Sequence, residues 1–119
     1  MPRRLAPAPA FEVAAALQDP EAHLKLLTRH FLALLQSRAP GNSVEVRVPP
    51  YAAVQVVEGV RHTRGTPPAV VETDPSTWVA VATGRLDWAD AVRDGKVRAS
   101  GERTDLSSYL PLTGSSGAG

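Results

Sequence analysis

From residue 20 onward, apolar residues recur at the three- and four-residue spacing that places them on one face of a helix. They are Leu24, Leu27, Phe31, Leu34 and Leu35. Asp19 and Pro20 suit the start of such a helix, because a proline at the first helical position has no N–H group to leave unpaired. The pattern predicts a helix over residues 20–37, which Pro40 and Gly41 end.

Two strands are predicted after this helix. The first, near residues 43–49, alternates three valines with Glu45 and Arg47, which is typical of a half-buried strand. The second, near residues 52–58, is more continuously apolar, which predicts a strand covered on both faces or facing a pocket on one. Gln55 would then be either a hydrogen-bonded amide in the core or a polar group inside a ligand cavity.

The next part of the chain has helix-start and helix-stop residues at each predicted boundary. Asp74 and Pro75 favour a helix start, and Asp87 favours another, because a carboxylate can accept hydrogen bonds from the free N–H groups of the first turn. Gly84 and Gly95 can adopt the left-handed conformation that ends a helix. The predicted order is a strand near 69–73, helices near 75–83 and 88–94, a strand near 96–100 and a helical turn near 105–110.

These elements predict an α+β fold in which helices cover one face of a single, mainly antiparallel sheet of four to five strands. Short connections make the strands near 43–49, 52–58 and 69–73 expected neighbours. A chain of 119 residues is long enough for one domain with a buried core. We expect the domain at residues 11–112, between a flexible N-terminal arm at 1–10 and a flexible tail at 113–119.

Composition excludes several kinds of site. The chain has no cysteine, which excludes disulfides, thiol catalysis and cysteine-based zinc sites. Its formal net charge of +1 gives no general attraction to nucleic acid, and no apolar run has the length of a membrane span. We therefore expect a cytoplasmic protein with no nucleic-acid partner and no integral membrane association.

No set of residues predicts catalysis, a metal site or a cofactor. His23 and His30 are seven residues apart on the same side of the first long helix, but no carboxylate is spaced to complete a metal site, so both are expected to face solvent. Glu72 lies in an apolar run and is the one acid expected in an unusual environment, without a predictable partner acid. We expect no enzymatic activity.

A basic loop follows the second predicted strand. Arg61, His62 and Arg64, with Arg47 beside them, could bind an anion or a partner protein, because arginine presents forked donors that match phosphate or carboxylate. The alternative is that the loop is a solvated hairpin connection between the strands near 52–58 and 69–73.

The central stretch resembles a known family. Trp78, the TGRL sequence at 83–86, residues 88–92 and the GKVRASG sequence at 95–101 are similar in order and spacing to the lipid-transfer domain of sterol carrier proteins, in particular to short bacterial members. The resemblance extends over about residues 40–112. It implies the sterol-carrier fold, in which the helices stand off the sheet and the last helix closes an apolar tunnel.

A set of apolar residues would form the ligand site that this resemblance implies. They are Val56, Trp78, Val81, Trp88, Val92, Leu106, Tyr109 and Leu110. Two functions remain open. The first is non-enzymatic binding of a lipid or fatty-acyl ligand between sheet and helices. The second is an accessory module that docks a protein or an anionic metabolite through the loop at residues 61–64, with the apolar set packed as a plain core.

Overall fold

The computed structural model describes residues 4–59 and 69–113. It confirms the predicted α+β fold, with four helices and four strands in these ranges. The helices are α1 (Ala10–Ala16), α2 (Leu24–Arg38), α3 (Pro75–Ala82) and α4 (Trp88–Arg93). The strands are β1 (Val44–Val48), β2 (Ala52–Val56), β3 (Ala69–Thr73) and β4 (Val97–Ser100). Short 3₁₀ turns at Pro20–His23 and Ser107–Tyr109 complete the order.

The four strands form one sheet in the order β2-β1-β3-β4. The pairs β1–β2 and β3–β4 are antiparallel, whereas β1 and β3 are parallel, so the sheet is mainly antiparallel but mixed. The prediction that β2 and β3 are neighbours is wrong, because β1 lies between them. A hairpin between β2 and β3 is therefore also wrong, because these two strands are not paired with each other.

Within residues 4–59 and 69–113, the helices bury one face of the sheet. Val44, Val46 and Val48 are fully enclosed against the helices, while Glu45 and Arg47 point to the other face. Strand β2 alternates in the same way, so the prediction of a strand covered on both faces is wrong. Gln55 is exposed on the outer face and is not a core amide; together with Ala53 and Glu45 it lines an open surface pocket of about 280 Å³.

The predicted starts of α3 and α4 are present, and so is the predicted end of α3. The start predicted at Asp19 and Pro20 is wrong for α2, because Pro20–His23 form a 3₁₀ turn, Asp19 makes no side-chain capping hydrogen bond and α2 begins at Leu24. The Asp74 carboxylate accepts the Thr77 N–H at 2.7 Å and begins α3. The Asp87 carboxylate accepts the N–H groups of the first turn of α4 at 3.1 and 3.4 Å. Gly84, with φ of +81°, ends α3 in a conformation that is strained for residues with a side chain. Local chemistry thus fixes where these two helices begin and where α3 ends.

Gly101 ends β4 for a different reason. A Cβ atom at this position would lie 2.8 Å from Cα of Ala69, at the start of β3. Glycine therefore permits the close approach of the chain after β4 to the neighbouring strand.

The segment after β4 packs back onto the helices. Arg38, at the end of α2, donates from Nη1 to the carbonyls of Tyr109 and Pro111 at 3.0 and 3.1 Å. The N–H of Leu112 donates to the Ala82 carbonyl at 2.7 Å, and the Leu112 side chain is buried. No helix within residues 4–59 and 69–113 is long and apolar enough to cross a membrane.

Candidate functional site

The predicted apolar ligand set divides into core residues and surface residues. Val56, Trp78, Val81 and Leu106 are at most 1% exposed and belong to one continuous core cluster with the valines of the sheet. Tyr109 and Leu110 are half-buried against that cluster. Trp88 is 7% exposed and Val92 is 40% exposed. Five of the eight residues, Trp88 included, therefore belong to the buried core cluster, and the role of the set as a ligand site stays a prediction.

Trp78 is a core side chain that connects two helices. Its Nε1–H donates to the Thr28 carbonyl of α2 at 3.3 Å, so the indole spans the contact between α2 and α3. A buried indole with a hydrogen-bond partner is a packing element that fixes two helices against each other.

Trp88 and Val92 lie beside a gap in the helical layer. Val97 and Ala99 point to the same face of β4 because side chains alternate along a strand, but Val97 is buried and Ala99 is exposed. The helices therefore cover the first half of β4 and leave the second half open. The result is a groove, here called the Ala99 groove, with a volume of about 370 Å³. Its floor and two walls are Ala99, Trp88, Ala89, Val92, Thr104 and Ser107.

The rim of the Ala99 groove carries one cation and one carboxylate. Arg93 forms ion pairs with Asp90 and Asp94, and the hydrogen bond that Arg93 donates to the Asp90 carboxylate raises the pKa of Arg93. Across the groove, Asp105 accepts the Ser107 N–H at 3.0 Å. Hydrogen bonds from the Ser107 hydroxyl and N–H lower the pKa of Asp105, so both rim groups are charged at neutral pH.

The predicted anion or partner site is only partly within the described residues. Arg47 is on the outer face of the sheet, where its Nη2 lies 2.7 Å from a carboxylate oxygen of Glu45. Arg61, His62 and Arg64 lie outside the described residues, so their joint site stays a prediction.

The two histidines of the N-terminal half differ in environment. His23 is exposed and its ring nitrogen Nδ1 donates to the Asp19 carbonyl at 3.0 Å. His30 is half-buried, against the expectation that it faces solvent, because residues 4–9 pack over it. Its Nδ1 accepts the Ala8 N–H at 3.0 Å, and burial lowers the pKa of His30. Among the described residues, no three potential ligands cluster closely enough to hold a metal ion.

Glu72 is not in the apolar environment that its sequence neighbours suggest. It points to the outer face of the sheet, and its carboxylate lies 3.6 Å from Arg98 of β4. This is the position of a partly exposed surface ion pair.

Six groove residues are not among the predicted site residues: Ala89, Arg93, Ala99, Thr104, Asp105 and Ser107. Alternation in β4 assigns Ala99 to the inner face, but sequence does not indicate that the helical layer ends before it. Asp105 accepts the Ser107 N–H, but the residue that precedes the 3₁₀ turn is Leu106 and the turn has no side-chain cap.

The chain also matches a known protein family. A family model described as bacterial SCP ortholog matches residues 20–112. The chain belongs to this sterol carrier family. No match is found among curated proteins. The matched range contains the whole sheet, α2 to α4 and every residue of the Ala99 groove, whereas α1 and residues 4–9 lie before it.

Proposed function

We propose that this sterol carrier family protein binds a lipid or fatty-acyl ligand in the Ala99 groove without converting it chemically. The observation that carries the proposal is the open inner face of β4. Ala99 and Val92 expose apolar surface next to Trp88, at a place where the rest of the sheet is covered. Because the chain belongs to a carrier family, we interpret this exposed apolar surface as a ligand-binding surface.

The size of the groove suits part of an alkyl chain. Ligand clefts in proteins commonly measure about 300 to 1,000 Å³, and the Ala99 groove, at about 370 Å³, is at the small end of this range. Each methylene group that leaves water for an apolar wall contributes about 0.8 kcal/mol. Because the groove is open along one side, only the part of the chain against Val92 and Ala99 gains this full benefit.

The groove offers no machinery for a covalent step. Its polar groups are Thr104, Asp105, Ser107 and the ion-paired Arg93. The Ser107 hydroxyl donates to Asp105, and the described residues that line the groove include no histidine or lysine that could activate that hydroxyl. Binding and release are therefore the chemistry that this arrangement supports.

Native mass spectrometry and probe displacement test the proposal. The full chain is purified from its producing cells and sprayed without denaturation, and a fluorescent long-chain probe is titrated with it in solution. We expect a co-purified lipid mass, or micromolar probe binding that Val92→Ser weakens at least threefold. Since Val92 is 40% exposed, this variant keeps the fold. Absence of both a co-purified lipid and probe binding in the wild-type protein would overturn the proposal.

A further inference from the structure

A second cleft lies at the N-terminal end of α2 and shares no lining residue with the Ala99 groove. It is bounded on one side by residues 4–9, here called the arm, and on the other by the turn at Pro20–His23 and the first turns of α2. Its volume is about 560 Å³. We call it the arm cleft. Its apolar lining consists of Ala6, Ala8, Ala22, Leu24, Leu26 and Tyr51.

The arm is held in place by specific contacts. The N–H of Ala8 donates to Nδ1 of His30 at 3.0 Å, and the N–H of Leu5 donates to Oε1 of Gln36 at 3.2 Å. The Leu5 side chain also packs against the core. The wall of the cleft is thus a positioned part of the structure, formed by residues that precede the range matched by the family model.

Two cationic side chains also line the arm cleft, next to its apolar residues on α2. Lys25 and Arg29 are four residues apart on α2 and therefore neighbours on the helix surface. Arg29 is oriented by a hydrogen bond from Nη1 to the Tyr51 carbonyl at 3.3 Å. Within the described part of the chain, neither cation forms an ion pair. This leaves most of their donors open to a ligand.

One carboxylate lines the cleft, and its oxygens are already engaged. Glu21 accepts the Ser76 hydroxyl at 2.8 and 3.1 Å, which connects it to the start of α3. The exposed ring of His23 completes the polar lining. Two cations against one engaged carboxylate favour an anion, and the apolar wall beside them favours a hydrocarbon chain on that anion.

From this combination we infer that the arm cleft binds a monomeric amphiphile with an anionic head group, a carboxylate or a phosphate. Arg29 and Lys25 hold the head group, and the chain lies between the arm alanines and Leu24 and Leu26. Arginine at a fixed orientation suits both head groups because its fork of N–H donors matches two oxygens. This site is distinct from the Ala99 groove and does not depend on the function proposed for it.

A paired titration of the full chain tests the inference. Decanoate, decyl phosphate and decanol are added below their aggregation concentrations, and amide shifts are followed by ¹⁵N NMR. We expect both anions to shift the amides of Ala8 and of residues 22–29, with affinities that fall as salt is raised. Lys25→Ala/Arg29→Ala should weaken binding of both anions roughly tenfold or more, because charge-assisted hydrogen bonds are lost, and change decanol binding less than twofold.

Matched variants separate this site from the other surfaces. Arg85→Ala/Arg98→Ala removes two exposed arginines that do not line the arm cleft, and it should leave anion binding unchanged. Val92→Ser, in the Ala99 groove, should also leave the shifts at residues 22–29 unchanged. Equal anion binding by wild type and Lys25→Ala/Arg29→Ala would overturn the inference. Binding to vesicles of phosphatidylglycerol without binding of the monomeric anions would overturn it as well, since the cations would then serve a membrane surface.

Discussion

Replacing Trp78 by alanine separates a core tryptophan from a ligand-site tryptophan. Trp78 is 1% exposed and its indole N–H donates to the Thr28 carbonyl. A buried aromatic side chain removes about 200 Å² from water, which at about 25 cal/mol per Å² corresponds to about 5 kcal/mol. Measured truncations of buried aromatic residues cost about 3 to 5 kcal/mol. We therefore expect Trp78→Ala to lose at least about 3 kcal/mol of unfolding free energy.

Urea unfolding followed by far-UV circular dichroism measures this loss without relying on the deleted fluorophore. Because domains of this size have about 5 to 15 kcal/mol in total, Trp78→Ala can approach complete unfolding. Trp78→Phe keeps most of the buried ring and loses the hydrogen bond, so it should cost about 1 to 2 kcal/mol and remain measurable. Val92→Ser, at a residue that is 40% exposed, should cost less than about 1 kcal/mol.

The losses of unfolding free energy in Trp78→Ala and Val92→Ser, compared with each other, show whether Trp78 is a core residue or a ligand-site residue. If Trp78→Ala costs no more than Val92→Ser, then the Trp78 side chain borders empty space, as it would in a ligand tunnel. That result would refute the division of the apolar set into core and groove.

Three further predictions concern the arm, a helix cap and the basic loop. Burial lowers the pKa of His30 from its ordinary 6.5, so the stability that neutral His30 contributes should be intact above about pH 6.5 and be lost as pH falls through the folded-state pKa. The variant His30→Gln should reduce the difference in unfolding free energy between pH 7 and pH 5, measured by urea unfolding. Asp74→Ala removes the acceptor of the Thr77 N–H and should cost about 1 kcal/mol by the same assay, whereas an unchanged midpoint would contradict the cap. Arg61→Ala/Arg64→Ala should change the unfolding free energy by less than about 0.5 kcal/mol. If the loop binds a partner protein, the wild-type chain should capture that protein in a pull-down and the double variant should not.

Local chemistry explains why much of the fold is predictable from sequence. Asp74, Gly84 and Asp87 act within a few residues of their own position, so they mark helix boundaries without knowledge of the rest of the chain. Alternating valines identify β1 in the same way, since a half-buried strand requires a two-residue period.

Long-range relations explain the errors. The parallel pairing of β1 with β3 depends on which strand edge the chain reaches after residues 60–68, and no local pattern specifies it. Gln55 appeared to lie in a continuous apolar run because Ala53 and Ala52 count as apolar, although alanine on an outer sheet face tolerates solvent. His30 is half-buried only because the arm returns to cover it.

Only two residues of the Ala99 groove, Trp88 and Val92, are predicted from the sequence. Trp88 and Val92 belong to the apolar set that the family resemblance implies, together with the core residue Trp78. Periodicity assigns a residue to a face but does not indicate whether another element covers that face. The exposure of Ala99 follows from the absence of a covering helix over the end of β4 in the described part of the chain, and a three-dimensional arrangement is needed to find it.

Filling the Ala99 groove gives the most direct test of its proposed role. Ala99→Leu places a branched side chain on the groove floor, and Ala53→Leu makes the same change at an exposed strand position on the outer face of the sheet. Titration with a fluorescent long-chain alcohol, which lacks the anionic head group that the arm cleft selects, measures the affinity of each variant. The account predicts that wild type and Ala53→Leu bind equally well and that Ala99→Leu binds at least tenfold more weakly while its unfolding midpoint is retained. Equal binding by Ala99→Leu and Ala53→Leu would contradict it.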